Sequence, residues 1–268
     1  MDLELKDHVA VVTGASKGIG LAVTRTLLAE GARVVAVSRT NASELDEHAD
    51  DRMSQLRTDL MATDAADRIV AHATEAFGAI DSLVNVAGGA PPGVELPRTS
   101  FMDASDSDWQ AVFELNLFAV VRLVRAAVPV MQRNGGGVIV NVSSANARQP
   151  SPINVDYGAA KAGLSNLTKA LSEEYASQGI RVNTVSPGPV RTAWWTDPGG
   201  VADILASRFD SDRDQILDAD VPEWMGLTTG RLADPQEVAD QVALLVSPRS
   251  ASTTGADIVV DSGMLKSV

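Results

Sequence analysis

Two serines, a tyrosine and a lysine stand at spacings that could move a proton between them. The run Asn141-Val142-Ser143-Ser144 is followed, after twelve intervening residues, by Tyr157-Gly158-Ala159-Ala160-Lys161. On a helix Tyr157 and Lys161 lie about one turn apart on the same face. A phenol with a free pKa of about 10 is a poor acid or base near neutrality. A lysine ammonium beside it favours the phenolate and brings it toward a working range. Ser144 could then donate to a carbonyl oxygen or accept from an alcohol. Taken singly each feature is commonplace, because a Tyr-x3-Lys pair arises often by chance.

A second group of residues could hold a dinucleotide. The first apolar run leads into Thr13-Gly14-Ala15-Ser16-Lys17-Gly18-Ile19-Gly20 and then a helical pattern. Glycines there let the backbone turn sharply and approach a pyrophosphate resting on the helix N-terminal amides. The spacing is G-x3-G-x-G, and its position directly after the first strand is what lends it weight. The second strand closes at Ser38-Arg39. A site for NAD(H) usually carries a carboxylate here for the ribose hydroxyls. Ser38 takes that position and Arg39 follows; a guanidinium can pair with a 2′-phosphate that a carboxylate would repel. Lys17 adds a cation on the same side. Either residue alone could be a solvated surface charge, but together they favour NADP(H) over NAD(H).

The elements that must position these residues are short runs rich in valine and isoleucine. They are His8–Thr13, Arg33–Ser38, Ile80–Asn85, Gly137–Ser143, Ile180–Ser186 and Ala256–Val260, with a weaker one near Met53–Arg57. Helical patterns fall between them, near Ile19–Glu30, Thr63–Phe77, Ser107–Met131, Tyr157–Ser177 and Pro235–Val246. Strand and helix in alternation predict βαβ units and a parallel sheet buried on both faces. The expectation is one doubly wound, Rossmann-like α/β domain over 1–268, with about seven strands and helices on both faces. From Arg191 to Leu232 no strand run occurs, and Pro198, Gly199, Gly200, Pro222 and Gly226 punctuate weak amphipathic pieces. An interval of that length after the sixth strand lies at the carboxyl edge, where ligands bind in open α/β sheets. It reads as a substrate lid, the alternative being a surface excursion without function.

Composition narrows the class. With 45% hydrophobic and 21% charged residues a packed core is expected, and a net charge of −13 disfavours a nucleic-acid partner. There are no cysteines, which removes thiolate nucleophiles, disulfides and Cys-ligated zinc. His8, His48 and His72 fall in no ligand cluster, so no metal is expected. The charged N-terminus lacks the apolar run of a signal peptide, and no stretch of about 20 apolar residues could span a membrane. A soluble cytoplasmic protein is expected.

In combination and order these features resemble the short-chain dehydrogenase/reductase family over essentially the whole chain. Matching positions are the Thr13–Gly20 turn, Asp59, Asn85-Val86-Ala87-Gly88, Asn116, Ser144, Tyr157, Lys161 and Ser186-Pro187-Gly188-Pro189-Val190-Arg191-Thr192. The resemblance implies an oxidoreductase that interconverts a secondary alcohol and a ketone, of the carbonyl-reductase or 3-oxoacyl-reductase kind. Tyr157 would be the proton donor in reduction, and Lys161 would lower its pKa and hold the nicotinamide ribose. Ser144 would orient the substrate oxygen, and Asn116 would fix a local helix distortion and a water in a proton relay. Asp59, with Leu60 beside it, would meet the adenine; Asn85 and Ala87, with Gly88, would line the adenosine side. Pro187, Gly188, Val190 and Thr192 would position the carboxamide. Gly14, Ser16, Lys17, Gly18, Ile19, Gly20, Ser38 and Arg39 complete the expected cofactor contacts.

Three positions depart from the family pattern: Val86 replaces an asparagine, Ala147 a common glycine, and Ser262 a glycine in Asp261-Ser262-Gly263. The first could loosen support at the end of the fourth strand, and the third could alter a subunit contact. Trp194, Trp195, Trp224 and Met225 flank the lid and suggest an apolar or ring-containing substrate; packing on the lid's own small core is the competing explanation. Eight carboxylates between Asp197 and Glu223, against Arg208 and Arg213, disfavour small anionic substrates. The helix around Asn116 is apolar almost all round, from Trp109 and Phe113 to Phe118 and Val121, which one sheet cannot cover. With small residues Ala159, Ala160, Ala162 and Gly163 on the next helix, a homodimer or homotetramer is expected. Two other functions stay open: an NADP(H)-binding regulator without turnover, and a lyase or epimerase that uses the cofactor transiently.

Overall fold

In the computed structural model, which describes residues 1–48, 51–98 and 100–267 and leaves the side chains of Glu47 and His48 (one of the three histidines above) undescribed, seven parallel strands form one sheet in the order β3-β2-β1-β4-β5-β6-β7. They are β1 (Val9–Thr13), β2 (Arg33–Ser38), β3 (Met53–Arg57), β4 (Ser82–Asn85), β5 (Gly137–Val142), β6 (Ile180–Pro187) and β7 (Asp257–Val260). The expected doubly wound α/β architecture is therefore present. All seven runs read from the sequence are strands, with ends shifted by at most two residues.

The strands read as continuous apolar runs because both faces are covered. Ala10 and Val12 of β1 and Val34 and Ala36 of β2 join a core that includes Val23, Leu27 and Leu28 of helix α1 (Gly18–Ala29). The intervening Val11, Val35 and Val37 point the other way, into a core with Ile69 of α2 (Ala65–Phe77). The period of two along each strand sends alternate side chains to opposite helical layers. Burying a leucine such as Leu27 completely contributes roughly 1.5–3 kcal/mol.

The helical pattern expected across 107–131 is two helices, α3 (Asp106–Phe113) and α4 (Ala119–Arg133), joined by a π turn over Glu114–Phe118. α5 runs Val155–Tyr175, so it begins two residues before Tyr157. The 191–232 interval holds four short helices: α6 (Ala193–Thr196), α7 (Val201–Phe209), α8 (Arg213–Gln215) and α9 (Val221–Trp224). A parallel bridge between Val190 and Ala233 closes it. α10 (Pro235–Val246) follows, started by Pro235 and a reciprocal capping box between Asp234 and Glu237. It packs on α1 in the first core. No helix among the described residues is long and apolar enough to cross a membrane.

Candidate active site

Strand order reverses between β1 and β4, and in sheets of this type the crevice at that point takes the ligand. The glycine turn sits there. Gly14 has φ +71°, and a side chain on it would fall 2.9 Å from the Cα of Ala87, so the turn and the end of β4 touch backbone to backbone. A Cβ on Gly18, at φ +53°, would meet the Thr192 methyl at 3.2 Å. The start of the 191–232 interval thus rests on the glycine turn. Lys17 is the N-cap residue of α1 and provides no side-chain cap, and no acidic residue occupies the first turn. The helix therefore presents its amides to the crevice, as a phosphate requires. Ser16 and Ile19 line the turn half-buried.

The end of β4 is held from two sides. The Thr13 hydroxyl accepts the Val86 and Ala87 amides at 3.1 and 3.2 Å, and the Asn85 side chain donates to Asn141 at 2.8 Å. Asn141 in turn donates to Thr168 at 2.9 Å. Support at this strand end therefore comes from β1, β5 and α5, and the valine at position 86 removes none of it. Asn85 Oδ1 is buried without a partner among the described residues.

Asn116 lies in the π turn and is fully buried. Its amide donates to the carbonyls of Val112 and Gly89, both at 2.9 Å, and its oxygen accepts the Gly89 amide at 2.9 Å. The expected helix distortion is present, and Asn116 ties it to the loop after β4. π turns of this kind concentrate at functional sites because they offset the residues on either side of the register break.

Tyr157 and Lys161 face the same space from α5. The Ser144 hydroxyl stands on the phenol side of Tyr157 and favours its ionised form. Lys161, 2% exposed, donates to the Val142 carbonyl at 2.8 Å, and its Nζ lies 5.8 Å from the Tyr157 ring centre. A Cβ on Gly88 would lie 2.8 Å from Asn116 Oδ1 and 2.9 Å from Lys161 Nζ, so a side chain there would have to displace the amide or the ammonium. Burial pulls Lys161 down to about 8. Burial also pushes the Tyr157 phenol above its ordinary value, with the Ser144 hydroxyl working against that rise. The lowered phenol expected from the sequence is not found in this structure: desolvation of the phenolate outweighs the help it receives.

Beyond β6, the Gly188 amide donates to the Val260 carbonyl at 3.0 Å, and a Cβ on Gly188 would strike Asp261 at 2.7 Å. Val190 is buried at the bridge to Ala233, and Pro187 ends the strand. At the opposite end of the crevice Ser38 Oγ donates to the Thr40 carbonyl at 2.5 Å. Arg39 and Asp59 line an open cleft there, and Lys17 is not among its lining residues. Asp59 accepts the Met61 amide at 3.0 Å, and Leu60 is half-buried in the second core. Glycine turn, open helix start, buried lysine and unpartnered Asn85 oxygen together suit a dinucleotide.

Reasoning from sequence missed the Arg98–Asp156 pair. Arg98 donates to Asp156 at 2.6 Å with both side chains almost wholly buried, and the Asp156 carboxylate also accepts the Tyr157 amide at 2.9 Å. Only their separation of 58 residues hid it. Asp156 is thereby committed to an ion pair and is no second acid or base beside Tyr157. Ser262 sits at φ +59°, a backbone state that costs a non-glycine residue roughly 1–2 kcal/mol, in a turn held by Asp261. Among the described residues no three acidic or histidine side chains gather as a metal site would require.

A doubly wound sheet with this crevice and this tyrosine–lysine helix defines a dinucleotide-dependent oxidoreductase. The short chain dehydrogenase model matches residues 8–198, and the chain belongs to that family, whose members use a nicotinamide cofactor. It is 33% identical to a 3-oxoacyl-(acyl-carrier-protein) reductase of Vibrio cholerae, with 98% of this chain and 99% of the relative covered. It is 35% identical to the cis-4-hydroxycyclohexanecarboxylate dehydrogenase of Sinomonas cyclohexanicum, covering 96% of each. The structure of L-sorbose reductase from Gluconobacter frateurii, complexed with NADPH and L-sorbose, superposes with a TM-score of 0.90 at 33% identity, covering all of both chains.

Proposed function

We propose that this protein is an NADP(H)-dependent oxidoreductase that interconverts a secondary alcohol and a ketone. The observation that carries the reading is Lys161 buried with its Nζ 5.8 Å from the Tyr157 ring, beside Ser144 and next to the glycine crevice. A nicotinamide cofactor, when bound, supplies or accepts the hydride. In reduction the Tyr157 hydroxyl gives its proton to the carbonyl oxygen, and Ser144 donates a second hydrogen bond that orients and polarises it. Lys161 keeps one N–H on Val142 and has two left for the nicotinamide ribose hydroxyls. Its charge then stabilises the phenolate that remains. Asn116 holds the loop after β4 against this group. Gly14, Ser16, Gly18, Ile19 and Gly20 cradle the pyrophosphate, with Lys17 above it. Asp59, Leu60, Asn85, Ala87 and Gly88 receive the adenosine half, and Pro187, Gly188, Val190 and Thr192 the carboxamide.

Ser38 and Arg39 in place of a carboxylate support NADP(H), as does the NADPH in the related L-sorbose reductase structure. The 191–232 interval serves as a substrate lid on a single domain. Its own core supports this: Trp195, 7% exposed, packs with Val201, Ile216, Leu217 and Val221, while Trp194 stays 43% exposed. Trp195 therefore belongs to the lid's interior, and Trp194 is the candidate for substrate contact. The exposed Phe118, with Ala159 and Ala162, supports a homodimer or homotetramer through α4 and α5. The protein works in the cytoplasm on a small, apolar or ring-containing carbonyl compound or alcohol.

The test is turnover of a panel of ketones with NADPH and with NADH, followed by cofactor absorbance, for the unmodified protein and Tyr157→Phe. The substitution keeps the ring and removes the ionisable oxygen, so NADPH binding persists and turnover falls by roughly 10²–10⁴. Near-normal turnover by Tyr157→Phe would overturn the assigned role.

A further inference from the structure

The cleft at the β2–β3 edge holds more positive charge than the strand-end arginine that the sequence singles out. Ser38 pairs in parallel register with Arg57 of β3, and paired residues on adjacent strands project from the same face. Arg57 Nε donates to the Arg39 carbonyl at 3.4 Å, a long contact that sets one arginine against the other's backbone. Arg39, Arg57, Thr58, Asp59 and Arg68 line the cleft. Arg68 has a carboxylate in reach, Asp64 at 3.9 Å, whereas Arg39 and Arg57 form no ion pair among the described residues. The Thr58 hydroxyl is buried there without a partner among those residues.

Two guanidiniums without an ion pair among the described residues, at the ends of neighbouring strands, repel each other, and an anion between them removes the repulsion. Phosphate monoesters carry between one and two negative charges near neutrality and accept paired N–H donors from a guanidinium. We infer that Arg57, with Arg39, seats the cofactor's 2′-phosphate and is a specificity-determining residue for NADP(H) over NAD(H). This rests on the NADP(H) reading above and adds to it a residue on the neighbouring strand. Because NAD(H) has only a hydroxyl at this point, Arg57 contributes to one cofactor and not the other.

Titration of 2′,5′-ADP and 5′-AMP, alongside NADPH and NADH, tests this without turnover. Arg57→Gln should weaken 2′,5′-ADP and NADPH by about tenfold, the scale of one charge-assisted contact, and leave 5′-AMP and NADH nearly unchanged. Arg57→Lys should recover part of the loss. If Arg57→Gln binds 2′,5′-ADP as the unmodified protein does while Arg39→Gln does not, the inference about Arg57 fails and the NADP(H) reading stands. Equal weakening of all four ligands would make Arg57 a structural residue and also overturn the inference. If the unmodified protein binds NADH and 5′-AMP as tightly as their phosphorylated counterparts, the cofactor reading itself fails.

Discussion

Lys161→Met should stabilise the ligand-free protein while ending its turnover. Methionine has a similar unbranched length, so the perturbation removes the ammonium and keeps most of the packing. Burial takes the lysine from an ordinary 10.5 to about 8. At about 1.4 kcal/mol per pKa unit, the buried charge costs roughly 3 kcal/mol at pH 7. The hydrogen bond to Val142, about 1 kcal/mol for a neutral donor, offsets part of that. The variant should therefore gain about 1–2 kcal/mol at pH 7. Below about pH 8 folded and unfolded chains are both protonated and the full cost is present. Between about 8 and 10.5 the unfolded chain holds the proton and the folded one does not, so the unmodified protein grows more stable as pH rises. The variant's advantage must then shrink and reverse, because neutral lysine still donates to Val142. Urea unfolding of both proteins at pH 7 and pH 9.5, at one protein concentration, measures this. A variant less stable than the unmodified protein at pH 7, or a difference that ignores pH, would refute the argument.

Gly88→Ala should lower both cofactor affinity and turnover with a small change in stability, because the added methyl lands 2.9 Å from Lys161 Nζ and 2.8 Å from Asn116 Oδ1. NADPH titration and steady-state kinetics check it, and unchanged values would mean the lysine can shift freely. Trp194→Ala should raise KM for bulky ketones and leave NADPH affinity intact, whereas equal effects on both would place the indole elsewhere. NADPH should slow proteolysis within 191–232, since Thr192 rests on Gly18 of the cofactor turn; equal cutting with and without NADPH would detach this segment from the cofactor.

The strands, the glycine turn and the Tyr-x3-Lys helix were legible in the sequence because each rests on local rules. A valine run bounded by turn residues makes a strand in many contexts, and residues four apart on a helix share a face. The break between α3 and α4 was legible only through the resemblance. Periodicity across 107–131 stays helical through a π turn, and it is Asn116 reaching Val112 and Gly89 that holds the turn. The Gly199-Gly200 pair illustrates the limit: it suggests a hinge, yet Gly200 packs under the carbonyls of Trp194, Trp195 and Asp197, where a Cβ would fall within 3.1 Å.

What the sequence by itself determined was the class of fold, the candidate reacting groups and the acidic, cysteine-free character of the chain. Only the tertiary structure decided their environments. Trp194 and Trp195 are neighbours of one type, and one is buried in the lid core while the other stays open, because the short α6 has an inside and an outside. Arg57 stands beside Ser38 through strand register, and Arg98 meets Asp156 through a loop closing on the start of α5. The pKa of Lys161 falls because the fold buries it behind Gly88, not because of any neighbour in sequence. Desolvation, register and long-range ion pairs all depend on residues far apart along the chain, so their energies appear only once the chain has folded.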